Sequence, residues 1–141
     1  MTHRLSDDDH QFQIRFEAGD FPPAEFDHRA HIRLAYVYLS QHDADTAHEL
    51  MRNALRTFLQ SLGLDLSKYH ETMTRAWILA VQHFMTLGPD CTSSAVFIAE
   101  HPMMLDSSIM MTHYSAELLF SDEARARFVE PNLAPIPRHD Q

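Results

Sequence analysis

Three histidines and a carboxylate carry the chemistry that the sequence offers most directly. His28 and His31 lie three residues apart in Phe26-Asp27-His28-Arg29-Ala30-His31-Ile32-Arg33-Leu34, and on a helix they share one face, so both imidazoles can approach a common point without backbone strain. A second stretch, Tyr69-His70-Glu71-Thr72-Met73-Thr74-Arg75-Ala76-Trp77, brings His70 and Glu71 to the start of another helix. Neighbours on a helix are turned by about 100° from each other. His70 leads the apolar stripe of Met73, Trp77 and Val81 and is expected to face inward, while Glu71 falls on the flank with Thr74 and Arg75. Three imidazoles and a carboxylate match an open mononuclear site for zinc, non-haem iron or copper. In that arrangement His28, His31 and His70 bind one divalent ion, Glu71 is a further ligand or the general base, and the open position activates water or dioxygen. Asp27 or a tyrosine would take a second ring nitrogen and fix its tautomer. Read singly, the same residues are less telling: two histidines in a capped first turn, and a first-turn glutamate paired with Arg75 four residues on.

A third grouping, His101-Pro102-Met103-Met104 with Met110-Met111-Thr112-His113, combines thioethers and imidazoles as a copper(I) site does. The same methionines are ordinary filling for an amphipathic element. His101 or His113 is instead a candidate to complete the first site. Other templates are absent: there is no glycine-rich phosphate loop, no Gly-x-Ser-x-Gly elbow, and His70-Glu71-Thr72-Met73-Thr74 has threonine where a His-Glu-x-x-His motif needs its second histidine.

These residues must be positioned by helices. Asp7 to Asp9 can cap a helix over 10–18, with Phe12 and Phe16 one turn apart and Gly19 as its stop. Pro22-Pro23 makes a turn into Asp27, an N-cap for a helix reaching about residue 40. Helical spacing of Leu50, Ala54, Phe58 and Leu62 predicts a helix over 46–62 that ends at Gly63, and a core helix follows over 70–87 before Gly88-Pro89. A shorter helix ends at Glu100, another is expected over 103–114 beyond Pro102, and Ser121 starts a last short one. Pro131, Pro135 and Pro137 make residues 129–141 an extended tail, and residues 1–8 are expected to be disordered. The fold expected is therefore all-α, a single-domain bundle of five to seven helices over residues 1–141, in which one intervening helix lets the starts of the His28 and His70 helices meet at the same end.

Composition narrows the partners. Hydrophobic residues make up 45% of the 141 and glycines number three, which favours a globular, helix-rich chain. A formal charge of −9 with Lys68 as the only lysine leaves no basic stripe for nucleic acid or an anionic membrane. No apolar run approaches the roughly 18 residues that span a bilayer, and the first residues lack a signal-peptide core, so a cytoplasmic protein is expected. Cys91, the only cysteine, excludes an internal disulfide and any thiolate-rich metal site.

The pattern Phe-x-His-x-x-His followed by Tyr-His-x-Thr-x-Thr, as Phe26 to His31 and Tyr69 to Thr74, resembles an uncharacterised family of small bacterial helical proteins, over most of the chain including 124–137. The resemblance implies a bacterial origin and a shared role for His28, His31, His70, Thr72 and Thr74, and brings no activity with it. The first expectation is thus a small helical metalloprotein, a metal-dependent hydrolase or oxidoreductase acting on a small-molecule substrate. Its rival is a non-enzymatic module whose histidines are structural or, with Trp77, line a pocket for a small organic ligand. A third is a partner-binding protein or homodimer, for which an exposed Met103 to Met111 face would speak.

Overall fold

Short polar side chains set where the helices begin. The computed structural model describes residues 3–139. Ser6 accepts from the Asp9 amide while the Asp9 carboxylate accepts from the Ser6 amide, a reciprocal cap that starts α1 (Asp7–Glu17) three residues earlier than the spacing predicts. Gly19, at φ +78°, takes the left-handed turn that follows α1. Asp27 starts α2 (His28–Gln41) by accepting from the Ala30 amide at 2.9 Å, and Asp43 starts α3 (Ala44–Ser61) by accepting from Thr46 at 2.8 Å. His70 performs the same service for α4 (Glu71–Leu87), so it precedes that helix rather than opening it. Ser93 caps α5 (Ser94–Glu100).

The helix expected over 103–114 does not form. Two 3-10 turns, Pro102–Leu105 and Ser107–Thr112, take its place. Asp106 sits between them at φ −86°, ψ 100°, outside the helical region, and its carboxylate accepts from the Ser108 amide, restarting the chain instead of continuing it. Two short helices follow, α6 (Ala116–Leu119) and α7 (Asp122–Ala126), and the first of these was not foreseen. The described residues contain no strand, and none of their helices is long and apolar enough to cross a membrane.

Helices α2, α3 and α4 pack on one another around an all-α core. Residues on every side of the middle of α2 are buried, from Ile32 through Leu34, Ala35, Tyr36, Val37 and Tyr38, so this helix is as central as α4, whose Trp77, Ile78 and Val81 face it through the core. Buried hydroxyls find acceptors: Tyr38 donates to Glu17 at 2.6 Å and Tyr36 to the Arg4 carbonyl at 2.8 Å. The second of these bonds belongs to a fastening that orders a segment expected to be disordered. The Arg4 amide donates to the Cys91 carbonyl at 2.8 Å, and His3 accepts from the Cys91 amide while donating to the Met85 carbonyl. At the other end residues 128–139 run without regular structure, pinned by Tyr114 donating to the Val129 carbonyl and by the buried Ile136. Residues 1–2 of the expected disordered start and 140–141 of the expected tail lie outside the described residues.

Candidate functional site

His28, His31 and His70 all line one cleft of about 350 Å³ at the starts of α2 and α4, so the two helices do present these ends at the same level. Phe26, Leu55, Phe58, Leu59 and Met73 give the cleft an apolar wall, with Asp27, Lys68, Tyr69 and Thr74 as its polar members. Sequence reasoning found the histidines and missed this wall. Three of its five residues, Leu55, Phe58 and Leu59, come from α3, where they recur at helical spacing.

The histidines share the cleft but not a task. The Met73 amide donates to His70 Nδ1 at 3.0 Å, which leaves the proton on Nε2, and Nε2 donates to the Leu119 carbonyl at 2.7 Å. Burial lowers the His70 pKa, in keeping with a neutral ring whose two nitrogens are both used. His28 donates from Nε2 to the Met104 carbonyl at 2.8 Å and lies edge-on to Trp77, 4.7 Å between ring centres. Trp77 is itself buried behind His28 and does not line the cleft.

This use of histidine recurs. His3, His28, His70 and His113 each donate to a main-chain carbonyl of a segment remote in sequence, respectively Met85, Met104, Leu119 and Ala134. A chain rich in irregular turns must satisfy many buried carbonyls, and a neutral imidazole is long enough to reach them. Four of the chain's eleven histidines thus serve to tie remote segments together.

His31 departs from this pattern. Its Nε2 is buried and has no hydrogen-bond partner. Burial, with the neighbouring His28 adding to it, pushes its pKa down to about 4, so the ring is neutral at physiological pH. The nearest rings are Phe26 and His28, 6.2 and 6.4 Å away between centres.

Glu71 does not reach the cleft. Arg52 donates to it twice, from Nε at 3.0 Å and Nη2 at 2.6 Å, and the Tyr69 hydroxyl donates at 2.6 Å. His48 Nε2 stands 3.1 Å from Oε2, outside hydrogen-bond geometry, and attracts it when protonated. Burial alone would raise the Glu71 pKa. Arg52, Tyr69 and His48 outweigh it and hold the carboxyl down to about 2, far from the range of a general base at neutral pH. The partner expected for Glu71, Arg75, pairs with Asp45 instead, at 2.8 Å.

Among the described residues no three His, Cys, Asp or Glu side chains are grouped as a metal ion requires. With His70 saturated, His28 reduced to one free nitrogen and Glu71 turned to Arg52, the four residues named from the sequence do not form a donor set as they stand. His101 packs against Phe84 and Phe97, and His113 bonds to Ala134, so neither completes one. Met104 and Met110 are buried core residues, whereas Met103 is exposed. Set against known protein families, curated proteins and solved structures, the chain matches none.

Proposed function

We propose that the protein binds a small organic molecule in the cleft between the starts of α2 and α4, and that it does so without a reaction of its own. The observation that carries this reading is the His31 Nε2, a buried polar atom without a partner in a residue that lines the cleft beside its apolar wall. Leaving such an atom unsatisfied costs about 1–3 kcal/mol, and native proteins rarely keep that cost without a use for the group. A ligand with a flat apolar body and one neutral polar group, a hydroxyl or carbonyl, would cover Phe26 and Phe58, and rotation of the imidazole towards the cleft would give the buried Nε2 its missing hydrogen bond. The cleft volume of about 350 Å³ suits a molecule of one or two rings. A cytoplasmic setting accords with this reading, since Cys91 is a lone buried thiol whose pKa burial raises.

The experiment is a titration of the protein with phenols and aryl ketones, followed by the His31 ring resonances. We expect a saturable shift of those resonances and a rise in Tm that His31→Leu abolishes. No shift with any such compound would overturn the reading. A parallel titration with zinc, iron(II) and copper(II) distinguishes the metal alternative: stoichiometric stabilisation lost in both His28→Ala and His70→Ala would replace the organic ligand by an ion.

A further inference from the structure

A second cleft, of about 640 Å³, opens between α3, the 3-10 turn Leu66–Lys68 and α7. Three guanidinium side chains line it, Arg52 and Arg56 from α3 and Arg125 from α7. Arg52 and Arg56 are four residues apart on one face of α3, a placement of like charges that opposes helix stability unless something compensates it. Glu71 compensates Arg52, gripping it through two bonds. Arg56 has no hydrogen bond or ion pair among the described residues, and Arg125 has one long contact, 3.5 Å from Nη1 to the Ser67 carbonyl. Of the two carboxylates in the cleft, Glu71 is spent on Arg52 and Tyr69, which leaves Asp122. The cleft therefore carries an excess of positive charge, in a chain whose formal net charge is −9.

We infer that this cleft binds a small oxyanion of the phosphate class, held by Arg56 and Arg125 with Arg52 fixed behind them. A guanidinium offers a planar fork of donors that fits two oxygens of a phosphate at once, which a lysine cannot do, and all three cations here are arginines. Glu71, itself held by the Tyr69 hydroxyl, fixes Arg52 in place before any ligand arrives, and Ser67 also lines the cleft. Another cleft gives the contrast. Arg15, Arg29 and Arg33 also share one, of about 430 Å³, but Asp8, Glu25 and Asp27 line it as well and leave no excess. The oxyanion cleft and the apolar one share a wall at Tyr69.

Calorimetric titration of the full chain at low ionic strength, with inorganic phosphate and with methyl phosphate, tests the assignment. Saturable binding of one anion per chain is expected, weakened at least tenfold by the double substitution Arg56→Gln and Arg125→Gln and left within twofold by Arg29→Gln. Tighter binding of methyl phosphate would identify an ester as the ligand, and tighter binding of inorganic phosphate the free ion. Should the double variant fold poorly, Arg56→Gln alone, at an exposed position, must still weaken binding at least threefold. Absence of saturable binding, or an equal loss in Arg29→Gln, would overturn the inference.

Discussion

His31 and Glu71 are titratable side chains set into the same corner of the bundle, and they are buried on opposite terms. Glu71 is surrounded: two bonds from Arg52, one from Tyr69 and the nearby His48 hold it charged. His31 is left neutral, with a buried nitrogen bonded to nothing. A charge taken out of water without its partners costs several kcal/mol, whereas a neutral imidazole with one missing bond costs about 1–3 kcal/mol and can persist. Glu71, saturated, has no capacity left for a ligand, whereas the neutral His31 ring keeps one unused bond. Hence the more reactive residue type, the carboxylate, is the one with no chemistry left to offer.

The contrast breaks first at Arg52. Arg52→Met removes both guanidinium bonds from a carboxylate that is largely buried, and the loss is expected to reach roughly 3 kcal/mol, because the charge left behind keeps its burial without its main partner. Urea denaturation of the variant checks this, and a loss below about 1 kcal/mol would mean that Tyr69 and His48 suffice.

Acid separates the two groups by pH window. His31 has a folded pKa of about 4 against an ordinary 6.5, so the unfolded chain takes up a proton that the folded one refuses; its contribution is whole above pH 6.5 and is lost as pH falls towards 4. Glu71, at about 2 against 4.5, keeps its contribution above pH 4.5 and loses it as pH falls towards 2. A loss of order 3 kcal/mol is expected across the upper window from His31. His48 and His70, also lowered, act in the same direction. Melting curves of wild type and His31→Leu between pH 7.5 and 4.5 test it, the variant being the less acid-sensitive of the two.

His70 stands between the extremes, a histidine that is saturated yet uncharged. His70→Ala removes the cap of α4 and the tie to Leu119 together, at an expected cost of about 1–2 kcal/mol, and His70→Asn should recover the cap portion, since its amide oxygen can accept from Met73. Equal stability of the two variants would show that the cap contributes nothing.

How much of this could be read from the sequence depends on how far apart the partners lie. Asp27 caps its own helix three residues on, so the start of α2 is visible locally, as are the ends at Gly19 and Gly63, while Asp43 starts α3 two residues before the position that apolar spacing marks. Helix order permits His28, His31 and His70 to meet at one end, and the structure places all three in the wall of one cleft. The partners decide what the histidines do, and those come from far along the chain: Met104 for His28, Leu119 for His70, Arg52 for Glu71. Asp9 shows the same limit. It reads as one acidic residue in a capping run, yet it is buried, and Arg33 and Ser94 donate to it across 24 and 85 residues. No periodicity encodes such a pairing, nor the restart at Asp106 that replaces a helix by two 3-10 turns.

The smallest expected effect is also the one that bears most directly on the cleft. His31→Leu replaces the unpaired imidazole by a branched apolar side chain of similar volume, so two terms compete: relief of an unsatisfied nitrogen, and loss of the flat ring's packing against Phe26. His31 is only partly enclosed by the wall of an open cleft, which keeps the packing loss small, and a net gain of about 0.5–1 kcal/mol at pH 7.5 is expected. A gain in stability together with a loss of ligand binding is the pattern of a residue kept for function at the expense of the fold. A loss of stability would instead make His31 one more structural histidine, bonded in solution to a water or side chain that moves to meet it, and the contrast with Glu71 would then be one of charge alone.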